Sequence, residues 1–308
     1  MVGIKEIASY IPINKRSNFD KLALFNIDQY FIREKIGVEE VTLKEPDEKA
    51  SDLCIYAYNR LLQKRYINPE EIDIIVVVTQ NPDFNIPHTS AILHKKIQPK
   101  DNCVCFDISL GCSGYVQGLS IIKSFMEAHK LKNGLLFTSD QYSDIIDKSD
   151  KDTSLIFGDA SAVTLLTDNP DYSILDSSFG TSGEDFDAII KKDMYLHMNG
   201  RKVFNFVMKT VPDDIKKLLS NLNIDKKDID CYIFHQGSKF IIDMLTATLE
   251  LPKEKVPFDM THYGNTVSSS IPIILEKELN KNNKFILLSG FGVGLSFANT
   301  ILKKREIA

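Results

Sequence analysis

Four short runs of consecutive apolar, largely β-branched residues punctuate the first part of the chain: IDIIVVVTQ at 72–80, CVCFDISL at 103–110, GLLFTSD at 134–140 and SAVTLLTD at 161–168. Continuous apolar runs of this length read as strands buried on both faces, and the helix-length segments between them predict an α/β protein. After residue 112 the spacing changes. Val116, Leu119, Ile122, Phe125 and Met126 fall on one helical stripe, so a helix is expected to begin immediately after Cys112. The second part repeats this grammar with CYIFHQG at 231–237, the helical stretch IIDMLTATLEL, a Gly-Asn turn, a helix from near Pro272 and the strand KFILLSG.

Two of these segments echo each other directly. NPEEIDIIVVVTQ at 68–80 and DKKDIDCYIFHQ at 225–236 share an acidic loop, Ile-Asp, an apolar strand and a terminal Gln. Cys112 follows Gln80 by 32 residues, and Asn265 follows Gln236 by 29. The pattern predicts an internal duplication, with units at 1–170 and 171–308 and a seam near 168–180, where TDNPDYS is rich in turn formers. Cys112, His235 and Asn265 would then lie at equivalent or neighbouring strand ends, where α/β sheets tend to bind ligands.

A length of 308 residues accommodates two such units. With 37 basic against 42 acidic side chains, a net charge of −5 and no long basic run, a nucleic-acid partner is not expected. No stretch reaches the roughly 18 apolar residues of a membrane span, and MVGIKEIASYIPIN is too weakly apolar for a signal peptide, so a cytoplasmic protein is expected. The five cysteines, Cys54, Cys103, Cys105, Cys112 and Cys231, are odd in number and lack C-x-x-C spacing. Neither a disulfide framework nor a structural zinc site is indicated. Cys103 and Cys105 alternate on one strand face without a histidine or a second cysteine pair at ligand spacing.

Only Cys112 has a chemical setting. In DISLGCSGYVQGL a strand gives way to Gly-Cys-Ser-Gly and then a helix. The glycines allow a sharp turn, and a helix N-terminus supplies free N–H donors and a positive dipole end that favours thiolate. The ordinary alternative, a small buried apolar residue, suits the other four cysteines better. His235 ends a strand in YIFHQGSKF, and Asn265 sits in HYGNTVSSSIP before a serine-capped helix. Either alone would be a core histidine or a turn; together with Cys112 they form a donor pair able to hold an oxyanion. His88, His94, His129, His197 and His262 have no comparable setting. The closing GFGVGLSFANT lacks the Lys-Ser/Thr of a phosphate loop, and its glycines Gly292 and Gly294 instead let a backbone amide face the Cys112 sulfur.

Taken in order, TQNPDFNIPHTS, FDISLGCSGYVQGL, IFGDASAV, MNGRKVFNF, FHQGSKF, GNTVSSSIP and GFGVGLSF resemble the β-ketoacyl-acyl-carrier-protein synthase III family of the thiolase superfamily over nearly the whole chain. The resemblance implies a five-layered αβαβα fold with internal duplication, a homodimer, and Cys112, His235 and Asn265 at the Cys-His-Asn catalytic positions. It implies an acyl group moved from an acyl thioester, of coenzyme A or possibly of an acyl carrier protein, to Cys112. Decarboxylation of a malonyl thioester would follow, then condensation to a 3-oxoacyl thioester, with no metal or redox cofactor.

By the same resemblance the backbone amides of Cys112 and Val293 would hold the acyl-transfer oxyanion, with Phe291 beside the malonyl group. Phe31 and Lys151 would stand where the family stacks the coenzyme A adenine between Trp and Arg, and Lys35 would replace an expected Arg. Ile86, before Pro87, would reach across the twofold axis into the partner's acyl tunnel. The helix after His235 carries Lys239, Phe240, Ala247 and Thr248 where relatives often place basic residues for a carrier. An acyltransferase moving the acyl group to a sugar, alcohol or amine is the alternative within this fold, and a catalytically dead partner subunit is a non-enzymatic one. The intact Asn265 favours condensation.

Overall fold

In the strand Ile74–Val78 every residue is buried, yet its two faces do different work. Ile74, Val76 and Val78 enter one apolar cluster, while Ile75 and Val77 enter another. That follows from the twofold side-chain period of a strand and requires cover on both sides. The computed structural model describes residues 1–306 and supplies that cover from helices.

The principal sheet has nine strands, numbered here along the chain. They are β1 (Gly3–Tyr10), β2 (Ile74–Val78), β3 (Val104–Ile108), β4 (Asn133–Asp140), β5 (Ala160–Thr167), β6 (Tyr172–Thr181), β7 (Cys231–Phe234), β8 (Phe285–Gly292) and β9 (Ser296–Lys304). Their order is β7-β8-β9-β6-β1-β5-β4-β2-β3. From β1 outward the first half pairs antiparallel, antiparallel, then parallel, through β5, β4 and β2. From β6 outward the second half repeats the same sequence of pairings through β9, β8 and β7. Within the sheet the two halves are joined at Gly3 and Ile4 against Ser173 and Tyr172. The first half adds β3, parallel to β2.

The major helices are α1 (Ala50–Lys64), α2 (Thr89–Ile97), α3 (Gly114–His129), α4 (Gly200–Asn221), α5 (Lys239–Thr248) and α6 (Ser270–Glu278). Helices α3 and α6 lie between the two half-sheets, α3 touching β2 and β4 on one side and β8 and β9 on the other. Helices α1 and α2 cover the outer face of the first half, and α4 and α5 that of the second. The result is five layers, αβαβα. The stripe on α3 faces this central layer: Val116, Leu119, Ile122 and Met126 are buried there and Phe125 packs at its margin.

Several boundaries differ from the sequence pattern. Helix α3 starts at Gly114, one residue later than expected, because Ser113 still belongs to the turn. Helix α5 starts at Lys239, ahead of its apolar run, because the Ser238 hydroxyl accepts the Ile241 N–H at 3.3 Å. Helix α6 starts at Ser270, placing Pro272 in the first turn, where its missing N–H has no partner to lose. The connector near 168–180 is shorter than expected, since β6 begins at Tyr172 and pairs with β9 over most of that stretch. Sheet pairing there outweighs the turn-forming residues.

Candidate active site

Strand β3 ends at Ile108 and α3 begins at Gly114, so Cys112 sits in the turn between a strand and a helix N-terminus. The turn is tight: the Gly114 N–H donates to the Gly111 carbonyl at 2.7 Å. A Cβ on Gly292 would lie 2.8 Å from the Cys112 sulfur, so only glycine lets the β8–β9 hairpin approach this closely. Burial pushes the thiol up to about 12; the backbone amides of Val293 and Cys112 oppose the shift, and the nearby Asp140 charge adds to it. The thiolate expected from the helix N-terminus is therefore not the resting state. Removal from water outweighs the dipole and the amides.

His235 follows the last residue of β7, and its N–H donates to the Ser289 carbonyl at 2.8 Å. Its Nδ1 lies 2.7 Å from the Ser270 hydroxyl at the start of α6, and its edge meets the Phe291 ring at 5.7 Å. Burial alone lowers its pKa to about 3, so the imidazole is neutral. Asn265 arrives on an irregular loop that bridges to Phe157 of the first half: its N–H donates to the Ile156 carbonyl at 2.8 Å and its carbonyl accepts the Gly158 N–H at 3.0 Å. The Asn265 Oδ1 accepts the Val267 N–H at 2.8 Å, which leaves Nδ2 toward His235 Nε2 at 3.3 Å.

Cys112, His235, Asn265, Phe291 and Gly292 line one cavity of about 360 Å³. A second cavity of about 540 Å³ shares Ile156, Met198, Gly200 and Arg201 with it and is lined by Phe31 and Lys151, so the two adjoin. Phe31 and Lys151 do come together, but as a contact. The Lys151 Nζ lies 4.5 Å from the centre of the Phe31 ring, which leaves no slot for an aromatic base between them until the lysine swings away. Lys35 is exposed beside Phe240, 5.7 Å from its ring centre, and lines neither cavity. Lys239 is paired with Glu34 at 3.0 Å and Asp243 at 3.2 Å. Ile86 is 88% exposed and touches neither cavity.

Two residues at this site escaped the sequence reading. Ser270 reads in the sequence as one of several helix-capping serines, and only the fold puts it on the His235 ring. Arg201 lies in the first turn of α4, begun by the Asn199 side chain accepting the Lys202 N–H at 3.1 Å. Among the described residues it has no ion pair or side-chain hydrogen bond, and it lines both cavities. Its place in MNGRKVFNF was the available signal.

The duplicated sheet and its central helices define the thiolase fold. A 3-oxoacyl-[acyl-carrier-protein] synthase III from Aquifex aeolicus superposes with a TM-score of 0.92 at 26% identity, covering 98% of this chain and all of the other. A 3-oxoacyl-(acyl-carrier protein) synthase from Burkholderia xenovorans superposes at 0.91 with 30% identity, over 98% and 94% of the two chains. Residues 106–183 match the family described as 3-oxoacyl-[acyl-carrier-protein (ACP)] synthase III, and residues 219–304 its C-terminal counterpart. The chain is 31% identical to the β-ketoacyl-[acyl-carrier-protein] synthase III of Clostridium tetani, over 98% of each chain. It belongs to the β-ketoacyl-acyl-carrier-protein synthase III family and is an acyltransferase of the condensing-enzyme type.

Proposed function

We propose that this enzyme loads an acyl group from an acyl thioester onto Cys112 and condenses it with a malonyl thioester to give a 3-oxoacyl thioester. The observation that carries the reading is the approach of His235 Nε2 and Asn265 Nδ2 to 3.3 Å on the cavity that contains Cys112. We take the tautomer in which Nδ1 accepts the Ser270 hydroxyl proton at 2.7 Å, which puts the imidazole proton on Nε2. Two N–H donors then face the same space and cannot satisfy each other. They suit an oxygen that becomes negative.

In the first step the Cys112 sulfur attacks the thioester carbonyl carbon, the donor's C–S bond breaks, and the released thiol takes up the proton that Cys112 gives up. The backbone amides of Cys112 and Val293, both of which act on that thiol, are taken to stabilise the oxyanion. In the second step the malonyl carboxylate leaves as carbon dioxide and its bonding pair forms an enolate held by His235 and Asn265. The enolate carbon attacks the acyl-cysteine carbonyl, and the Cys112 sulfur leaves and regains a proton. The neutral His235 serves here as a donor and needs no charge.

Arg201, Lys151 and Phe31 at the outer cavity suit the phosphates and base of coenzyme A. The basic face expected for an acidic carrier protein is weak, because Lys239 is neutralised by Glu34 and Asp243 and its neighbour Phe240 is apolar. We therefore take coenzyme A thioesters as the acyl donor and leave the carrier to the malonyl step. A homodimer belongs to the same reading. The tip of the loop after β2 exposes Phe84 and Ile86, and β3 pairs only with β2. Residues 1–170 and 171–308 are read as two copies of one unit, supported by their repeated strand pairing. No described helix is long and apolar enough to cross a membrane, and a cytoplasmic reaction fits these substrates.

Intact-protein mass spectrometry tests the reading. Incubation with acyl-coenzyme A should add one acyl mass, mapped to Cys112, and malonyl thioester should discharge it as 3-oxoacyl product with carbon dioxide release. Discharge to an alcohol or amine without carbon dioxide would favour the non-condensing alternative.

A further inference from the structure

The loop that carries Asn265 contains a backbone outlier. Val267 holds φ at +53°, in the left-handed region, which a β-branched side chain avoids because its methyls crowd the backbone. Such a conformation persists only where its surroundings hold it, and here it is held on both sides. Before it, Asn265 Oδ1 accepts the Val267 N–H at 2.8 Å. After it, Asp140 Oδ2 accepts the Ser268 hydroxyl at 2.5 Å and the Ser268 N–H at 3.4 Å. The next hydroxyl, that of Ser269, lies 2.8 Å from the Thr138 hydroxyl. Thr138 and Asp140 alternate along β4 and so share one face of the sheet. The remaining Asp140 oxygen, Oδ1, accepts the Gln80 N–H at 2.7 Å, which fixes the carboxylate against the end of β2.

Asp140 is fully buried, and the titratable groups that face it, Cys112, Tyr142 and Asp159, bring no positive charge. Burial raises its carboxyl to about 6, so at neutral pH it is ionised at a cost to the fold. What the charge supplies is an acceptor for three donors at once, since an ionised carboxylate accepts at both oxygens and donates at neither.

Resting on the role read above for Asn265, we propose that Asp140 is the positioning residue of the decarboxylation donor: its carboxylate locks the strained turn at Val267 and thereby aims Asn265 Nδ2 at the enolate oxygen. The orientation of the Asn265 carboxamide follows the turn, because Oδ1 is committed to the Val267 N–H. Once Ser268 is released, Val267 relaxes out of the left-handed region and its N–H turns away from Oδ1. The carboxamide is then free to rotate, and Nδ2 leaves its place 3.3 Å from His235 Nε2. Asp140 lines neither cavity and acts through this loop. Its charge opposes the other half-reaction, because it helps to hold the Cys112 thiol protonated. Acylation and decarboxylation therefore respond to it in opposite directions.

The experiment follows both half-reactions in Asp140→Asn and Ser268→Ala, with melting curves to confirm folding. Cys112 acylation by acyl-coenzyme A is read from intact mass, and decarboxylation from carbon dioxide released by a malonyl-carrier thioester. Asparagine keeps the shape but turns an NH₂ toward one of two backbone N–H donors, so one tie opens. Carbon dioxide release is expected to fall about tenfold to a hundredfold, in kcat rather than KM, the cost of a donor displaced by about an ångström. Acylation is not slowed, because a negative charge has been taken from beside the thiol. Ser268→Ala loses the hydroxyl but keeps the backbone N–H, and shows the same split to a smaller degree; it decides alone if Asp140→Asn does not fold. Asp140→Asn added to Asn265→Ala slows release no further, since both act through one amide. Equal slowing of the two half-reactions, unchanged release in the folded variants, or additive losses in the double variant overturns the proposal. A wild type that acylates Cys112 but releases no carbon dioxide would instead overturn the underlying reading of the function, so the two failures are distinguishable.

Discussion

Equivalent strands in the two halves end in different ways. In the first half, β2 is followed by a further strand, β3, and Cys112 then sits in a regular strand-turn-helix at the head of α3. In the second half, β7 has no such outer neighbour among the described residues, and Asn265 is delivered by an irregular loop fastened to Phe157 and Gly158 of the other half. Local secondary structure places Cys112 and His235, whereas contacts between the halves place Asn265. The difference predicts that the two parts of the site can be broken separately.

The largest effect should come from the nucleophile. Cys112→Ser is expected to abolish acyl loading, since a serine hydroxyl in this turn has no adjacent base and ionises far less readily than a thiol. Intact mass with a tryptic map checks it, and an acyl group found on Cys103 or Cys105 would refute the assignment. Next, His235→Ala and Asn265→Ala should still acylate at Cys112 but release carbon dioxide from malonyl thioester about 10²- to 10³-fold more slowly, the cost of losing one oxyanion donor. Unchanged release in both variants would sink the donor pair.

Burial of His235 makes a third, thermodynamic prediction. Its folded pKa of about 3 lies below the ordinary 6.5, so between those values the unfolded chain binds the extra proton. The stability from the neutral ring is complete above pH 6.5 and is lost as pH falls toward 3. Asp140 acts in the opposite sense: burial raises it from 3.8 to about 6, so its contribution weakens as pH rises through that window. Melting of wild type against His235→Gln from pH 7 to pH 4 isolates the histidine. Wild type should lose stability more steeply than the variant as pH falls, and parallel curves would contradict a neutral buried imidazole.

The smallest effect concerns the region neither half covers. Ile86→Ala should broaden acceptance toward longer acyl thioesters, relieving about 1 to 3 kcal/mol of steric discrimination, while malonyl decarboxylation stays largely intact. At 88% exposure Ile86 packs in no core of its own chain, so its truncation should leave stability within about 0.5 kcal/mol. An unchanged length profile, or a monomeric mass by size exclusion, would remove the second copy from the acyl pocket.

Much of this site could be read before folding because the relevant signals are local. A strand run ending in Gly-Cys-Ser-Gly and passing into the stripe from Val116 to Met126 specifies an elbow by backbone geometry alone. The glycine at 292 signals close approach, and the structure shows the Cys112 sulfur as its reason. Ser270 and Arg201 carried no comparable local mark. A serine before an apolar helix is a cap by default, and an arginine in a first turn is ordinarily a solvated charge.

The sequence by itself determined the alternation of apolar strands and helices, the echo between residues 68–80 and 225–236, and the strand-turn-helix setting of Cys112, because each depends on neighbours within a few turns of chain. Tertiary structure alone decided the protonation of the site. The helix N-terminus favours a thiolate at Cys112, but sheet, hairpin and helices close over the sulfur and push it to about 12, and the same closure holds His235 neutral. Desolvation is a property of everything packed around a group, and that packing is fixed only when both halves have come together.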